Sequence, residues 1–163
     1  MKILVVDDDH LALSILRLYL ADAGYYDVTV CEAPEAALAL IENGDVEFGC
    51  FFFDIMMPFI HGIDLCKRVR NIQKYKETPI IMLTGISGKS DIDEAFSAGA
   101  TDYVTKPFTM TEIGARVRIA ENLVSIRNKS NPKSSILNTG QCHTGALPLS
   151  PILPNAGGNP PAN

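Results

Sequence analysis

Five positions carry side chains able to do chemistry together: the pair Asp7-Asp8, then Asp54, Thr84 and Lys106. Each closes a short apolar run: Ile3-Leu4-Val5-Val6 leads to the acids, Phe51-Phe52-Phe53 to Asp54, Ile80-Ile81-Met82-Leu83 to Thr84, and Tyr103-Val104-Thr105 to Lys106. Three carboxylates brought within several ångströms repel, each pair by about 1 kcal/mol at 4 Å even in bulk water, and a divalent cation relieves the repulsion. Hard oxygen ligands in small number suit Mg²⁺, and no His or Cys cluster competes for zinc. A carboxylate held beside such a cation can attack a phosphoryl group and form an aspartyl phosphate. That chemistry depends on positioning and on neutralising the equatorial oxygens, tasks for a cation, the Lys106 ammonium and the Thr84 hydroxyl. Gly85 leaves room for the group to enter.

Taken singly, each residue has a plainer reading. An acidic loop at a strand end is usually a solvated turn or a helix cap, which is the reading for Asp9. Thr84 alone is a turn residue and Lys106 alone a surface lysine. Their shared placement at strand ends is what favours a site.

The elements that must position these residues follow from hydrophobic spacing. Residues 2–6 predict a first strand, and Leu11–Ala23 a helix up to Gly24. Asp27–Cys31 is a second strand, and Pro34 opens a helix running to Asn43-Gly44. The phenylalanine run, apolar on both faces, suits a strand buried inside a parallel sheet. A helix follows Gly62, a fourth strand occupies Ile80–Leu83, and Ser90-Asp91-Ile92-Asp93 has capping-box spacing for a helix closing at Gly99. Asp102–Thr105 is a fifth strand, Lys106-Pro107 a turn, and Thr109-Met110-Thr111-Glu112 a second capping box before a helix reaching about Arg127. Five strands alternating with helices predict an α/β fold, a parallel sheet covered on both faces. In such sheets ligands sit outside the carboxyl ends of the strands, where all five candidate residues fall. Pattern alone leaves the strand order open.

The chain has 163 residues, 47% of them apolar, enough for one ordinary domain and a tail. Its net charge of −5 disfavours a direct nucleic-acid partner. Asp7-Asp8-Asp9 ends the first apolar run too early for a signal peptide, and no run reaches the roughly 18 residues that cross a bilayer, so no membrane partner is expected. Cys31, Cys50, Cys66 and Cys142 form no CxxC pair and read as reduced thiols of a cytoplasmic protein. Residues 128–163 hold six of the ten prolines and no acidic residue, which predicts a disordered tail or linker after a domain of residues 1–127. Leu147-Pro148-Leu149 and Pro151-Ile152-Leu153-Pro154 in that tail read as plain linker rather than as a short extended docking segment. His10 reads as a solvent-facing helix residue, His61 as a loop residue bordering the site, and His143 as part of the tail. None has the surroundings of a phosphodonor.

Residues 1 to about 125 resemble the receiver domain of two-component response regulators. The motifs that carry this are Ile3–Asp8 (ILVVDD), Phe53–Pro58 with Gly62 (FDIMMP, then G), Ile80–Gly85 (IIMLTG) and Gly99–Phe108 (GATDYVTKPF). The resemblance implies a flavodoxin-like (βα)5 sheet of order 2-1-3-4-5. It implies Asp54 as phosphoacceptor, Asp8 and Asp54 as direct Mg²⁺ ligands, Asp7 through water, and the Met56 backbone carbonyl completing the set. Thr84 and Lys106 become the switch and phosphate-contacting residues, Tyr103 the aromatic that changes rotamer, and Lys106-Pro107 a cis peptide. The expected partners are a histidine kinase or histidine phosphotransfer protein upstream and a downstream effector or a second copy of the chain, met on the face of the fourth helix, fifth strand and fifth helix. The protein is then a switch that catalyses only its own phosphorylation and dephosphorylation. A haloacid-dehalogenase-like phosphatase is disfavoured because Leu11 stands where Thr or Val is expected and no acidic pair follows Lys106. A scaffold that works unphosphorylated would not need the intact acid, Thr and Lys set. A Rossmann enzyme would need a G-x-G-x-x-G after the first strand.

Overall fold

The computed structural model describes residues 1–85 and 89–130, residue 89 by its backbone alone. The chain divides into two units, Met1–Pro132 and Lys133–Asn163, and the second lies outside the described residues, together with the expectations placed on the tail, Cys142 and His143.

The strands β1 (Ile3–Val6), β2 (Val28–Cys31), β3 (Cys50–Asp54), β4 (Ile80–Thr84) and β5 (Asp102–Thr105) form one sheet of order β2-β1-β3-β4-β5. All four pairings are parallel. The helices are α1 (His10–Asp22), α2 (Pro34–Asn43), α3 (Gly62–Asn71), α4 (Lys89–Ser97) and α5 (Met110–Ser130). This is the flavodoxin-like order.

Both faces of the sheet are buried because successive side chains of each strand point oppositely. Phe51 and Phe53 join one cluster with Leu38, Ile41, Leu65, Val69 and Tyr75, on the side of α2, α3 and α4. Phe52 joins the other with Leu13, Leu16, Ile113 and Val117, from α1 and α5. Each fully buried phenylalanine contributes on the order of 1.5–3 kcal/mol of transfer free energy, so the three pin β3 at the centre.

Local chemistry fixes the helix ends. Asp9 caps α1, its Oδ1 accepting the Leu11 N–H at 2.8 Å, as expected. Pro34 sits in the first turn of α2, and Gly44 closes it at φ +76°. The second capping box forms: Thr109 Oγ1 accepts from the Glu112 N–H at 3.2 Å, and Glu112 Oε2 accepts from the Thr109 N–H at 2.9 Å. The first does not: α4 begins at Lys89, so Ser90 lies inside its first turn instead of capping it. α5 runs to Ser130, past the expected end near Arg127, and a 3-10 turn at Gln73–Tyr75, not foreseen, links α3 to β4. The Arg70 guanidinium orders this end of the molecule, donating to the carbonyls of Gly99 at 2.8 Å and of Tyr75 and Thr78 at 2.7 Å each. The Lys106-Pro107 bond is cis, as expected.

Candidate functional site

Register brings the distant acids together. Val6 pairs with Phe53, so Asp7 follows β1 at the level where Asp54 ends β3. Asp54 pairs with Leu83 and Thr84 with Thr105, which sets Lys106 just beyond the same rim. The Lys106 N–H donates to the Thr84 carbonyl at 2.7 Å, locking the two strand ends.

At this rim Asp7, Asp8 and Asp54 each offer a carboxylate oxygen, the three within 4.8 Å of one another. Asp7 and Asp54 are buried and Asp8 is exposed, so the cluster opens to solvent on one side. Lys106 Nζ lies 2.7 Å from Asp7 Oδ2 and 2.7 Å from Asp54 Oδ1. The Asp9 N–H donates to Asp7 Oδ1 at 2.9 Å. Asp7 Oδ2 accepts no hydrogen bond of good geometry despite its contact with Lys106, so charge alone holds it.

Burial pushes the Asp7 carboxyl above its ordinary pKa, against the opposing pull of Lys106 and the Asp9 N–H, and the charge of Asp54 adds to the rise. Burial works against the charge on Lys106, but its close pairing with the Asp54 and Asp7 carboxylates outweighs it and raises its pKa. The rim thus sets three carboxylates against one ammonium. An all-oxygen donor set, one member buried without a proper donor and one open to solvent, fits a hard divalent cation such as Mg²⁺ that keeps some of its waters.

The loop after Asp54 is built by close approach. The Ile55 N–H donates to the Leu83 carbonyl at 2.9 Å, and the Gly62 N–H to the Ile55 carbonyl at 3.0 Å. A Cβ on Gly62 would stand 1.9 Å from the Asp54 carbonyl oxygen, so only glycine allows α3 to start there. Between them Met56 is half exposed and Phe59 adopts φ +67°. Sequence reading reached Gly62 as part of a motif but missed the contact that demands it, and it missed the Phe59 conformation. Pro58 marks a turn, but position 59 carries no Gly, Asn or Asp that would have signalled a positive φ.

The remaining candidates fall where they were expected. Thr84 is buried at the end of β4. Tyr103 on β5 is half-buried, its ring edge-on to Phe96 of α4 at 5.9 Å between centroids. His61 precedes α3 at the loop, and exposed His10 meets Glu32 Oε1 through Nδ1 at 2.8 Å, away from the three carboxylates.

The family model of the response regulator receiver domain matches residues 3–118. Among curated relatives, the chemotaxis protein CheY1 of Helicobacter pylori is 41% identical over 110 residues, 67% of this chain and 87% of that protein. The regulatory protein VanR of Enterococcus faecium is 38% identical over 117 residues, 72% of this chain but only 48% of the relative. Of solved structures, Vibrio cholerae chemotaxis protein CheY4 superposes with a TM-score of 0.68 at 31% identity, covering 73% of this chain and 97% of that one. A receiver domain described as BeF3-activated DrrB superposes with a TM-score of 0.65 at 33% identity, covering 74% and 97%.

Proposed function

Because the chain belongs to the response regulator receiver family, we propose that Asp54 is its phosphoacceptor and that phosphorylation there switches the face formed by α4, β5 and α5. The observation that supports this most is the meeting of Asp7, Asp8, Asp54 and Lys106 at one rim of the sheet.

Asp8 and Asp54 directly, Asp7 through water and the Met56 backbone carbonyl would hold Mg²⁺. When bound, the ion neutralises the cluster and the oxygens of the incoming phosphoryl group. An Asp54 oxygen attacks phosphorus; the O–P bond forms as the P–N bond to a donor phosphohistidine breaks, and the imidazole leaves. Lys106, now shared between two carboxylates, turns its ammonium to the new phosphoryl oxygens. The product carries roughly −1.5 to −2 charges, which draw Thr84 inward as hydrogen-bond donor. Tyr103 then leaves its contact with Phe96 and turns toward the space vacated, which repacks α4 against β5.

The donor is a histidine kinase or histidine phosphotransfer protein; the reader is a downstream effector or a second copy of the chain. Residues 1–127 form the switching domain and residues 128–163 a linker or tail, in a cytoplasmic protein. Among the described residues no helix is long and apolar enough to cross a membrane. The test is intact-mass spectrometry after incubation with acetyl phosphate and Mg²⁺: the wild type gains one phosphoryl group and Asp54→Asn gains none. Equal gain in both would overturn the assignment.

A further inference from the structure

At the end of the sheet opposite the carboxylate rim, beside the amino ends of β4 and β5, lies a cavity of about 480 Å³. Lys76 and Glu77 line it from the turn before β4, Thr101 from the loop before β5, and Leu123 and Arg127 from the last turns of α5. Arg70 of α3 lines it too and fixes its frame, through the three carbonyls of Tyr75, Thr78 and Gly99 that its guanidinium ties together. The volume is far more than a single ion fills and falls in the range of small-molecule sites. Leu123 and Arg127 stand beyond residue 118, where the match to the receiver family ends, so the chemistry shared by that family does not account for them.

The hydrogen-bonding groups left over in this cavity are donors, with one exception. Thr101 Oγ1 already accepts from the Ile80 N–H at 3.1 Å and from Arg70 Nη2 at 3.4 Å, which leaves its own hydroxyl hydrogen to be given. Arg70 Nη2 keeps a second N–H beyond the one directed at Thr101. Among the described residues, the side chains of Lys76 and half-buried Arg127 have no hydrogen bond and no ion pair. Glu77 is the single carboxylate of the lining, and it pairs with neither of them. Three cations thus surround one hollow in a chain whose net charge is −5. Burial pushes Arg70 below its ordinary pKa, a cost that an anion alongside would relieve. Leu123, 44% exposed, adds an apolar wall.

We propose that this cavity binds a small phosphomonoester with an apolar body: Arg127 and Lys76 meet the phosphoryl oxygens, Thr101 and Arg70 donate to them, and Leu123 packs against the body. A guanidinium fork matches phosphate bidentately. Two cations without a carboxylate match the near-double charge of a phosphomonoester better than the single charge of a carboxylate. The site works by binding alone and is independent of Asp54 as phosphoacceptor.

Adenosine monophosphate is the probe, titrated into the isotope-labelled full chain without Mg²⁺ while backbone amide shifts are followed, with adenosine and citrate in parallel. Shifts are expected at Lys76, Thr101, Leu123 and Arg127, and none at Asp7 or Asp54. Arg127→Gln and Lys76→Gln should each weaken binding about tenfold at an unchanged melting temperature, and adenosine should bind more weakly than its monophosphate by at least about tenfold. Glu77→Gln should tighten binding about threefold, a gain that a merely structural glutamate would not give. No shift up to about 10 mM probe, shifts at the carboxylate rim instead, or unchanged affinity in Arg127→Gln and Lys76→Gln would overturn the site. Citrate binding more tightly than the monophosphate would overturn the phosphate class in favour of a carboxylate. None of these results touches the assignment of Asp54.

Discussion

Lys106 concentrates the electrostatics of the rim. Its ammonium contacts two buried carboxylates at 2.7 Å, and its own side chain is 26% exposed. Removing one partner of a buried ion pair leaves the other charge uncompensated, a loss of about 2 kcal/mol here once partial solvent screening is allowed for. Lys106→Met should lower stability in the absence of metal by that amount in urea unfolding. It should also bind Mg²⁺ more tightly, because the ammonium and the ion compete for the same carboxylates. A thermal-shift titration checks this: the variant should gain more from Mg²⁺ than the wild type does. An equal or smaller gain would mean that Lys106 and the ion do not share Asp7 and Asp54.

The β3–α3 connection shows what an element contributes beyond the residues it carries. Three phenylalanines fix β3, and Gly62 sets how closely α3 begins against it, with no room for a methyl group 1.9 Å from a backbone oxygen. Gly62→Ala should therefore cost about 3 kcal/mol in unfolding free energy and displace the Asp54 backbone, slowing acetyl phosphate labelling; a labelling rate equal to wild type would show that Asp54 does not depend on this packing. The strand ends were legible in the sequence because an apolar run stopped by Asp7, Asp54 or Thr84 declares both the strand and its exit. The resemblance supplied the strand order that alternation alone left open. The strained turn at Phe59, the reach of Arg70 to three carbonyls and the start of α4 ahead of Ser90 were not legible. Each depends on contacts made only after distant segments pack, and local propensity carries no record of them.

Across the described unit, α1 and α5 cover one face of the sheet, and a hydrogen bond ties the loop after α1 to α5. Tyr25, 8% exposed, donates to Glu121 Oε2 at 2.5 Å across 96 residues of chain. Burial and the hydrogen bond to Glu121 push the Tyr25 phenol from 10.0 up to about 12. The fold therefore favours the protonated phenol: its stabilisation is complete below pH 10 and is lost as pH rises through about 12. Tyr25→Phe should cost about 1.5 kcal/mol at neutral pH, and the difference from wild type should close across that alkaline window in pH-dependent unfolding. A difference constant to pH 12 would contradict it.

This framework exists to hold acids from separate strands around one aspartate, and the most direct test maps the product. The chain is incubated with acetyl phosphate in Mg²⁺ or in excess chelator, the acyl phosphate is reduced with borohydride, and the peptides are sequenced by mass spectrometry. The account predicts homoserine at position 54 alone, formed with Mg²⁺ and absent with chelator. Conversion at another acidic residue, or equal conversion without the metal, would contradict it.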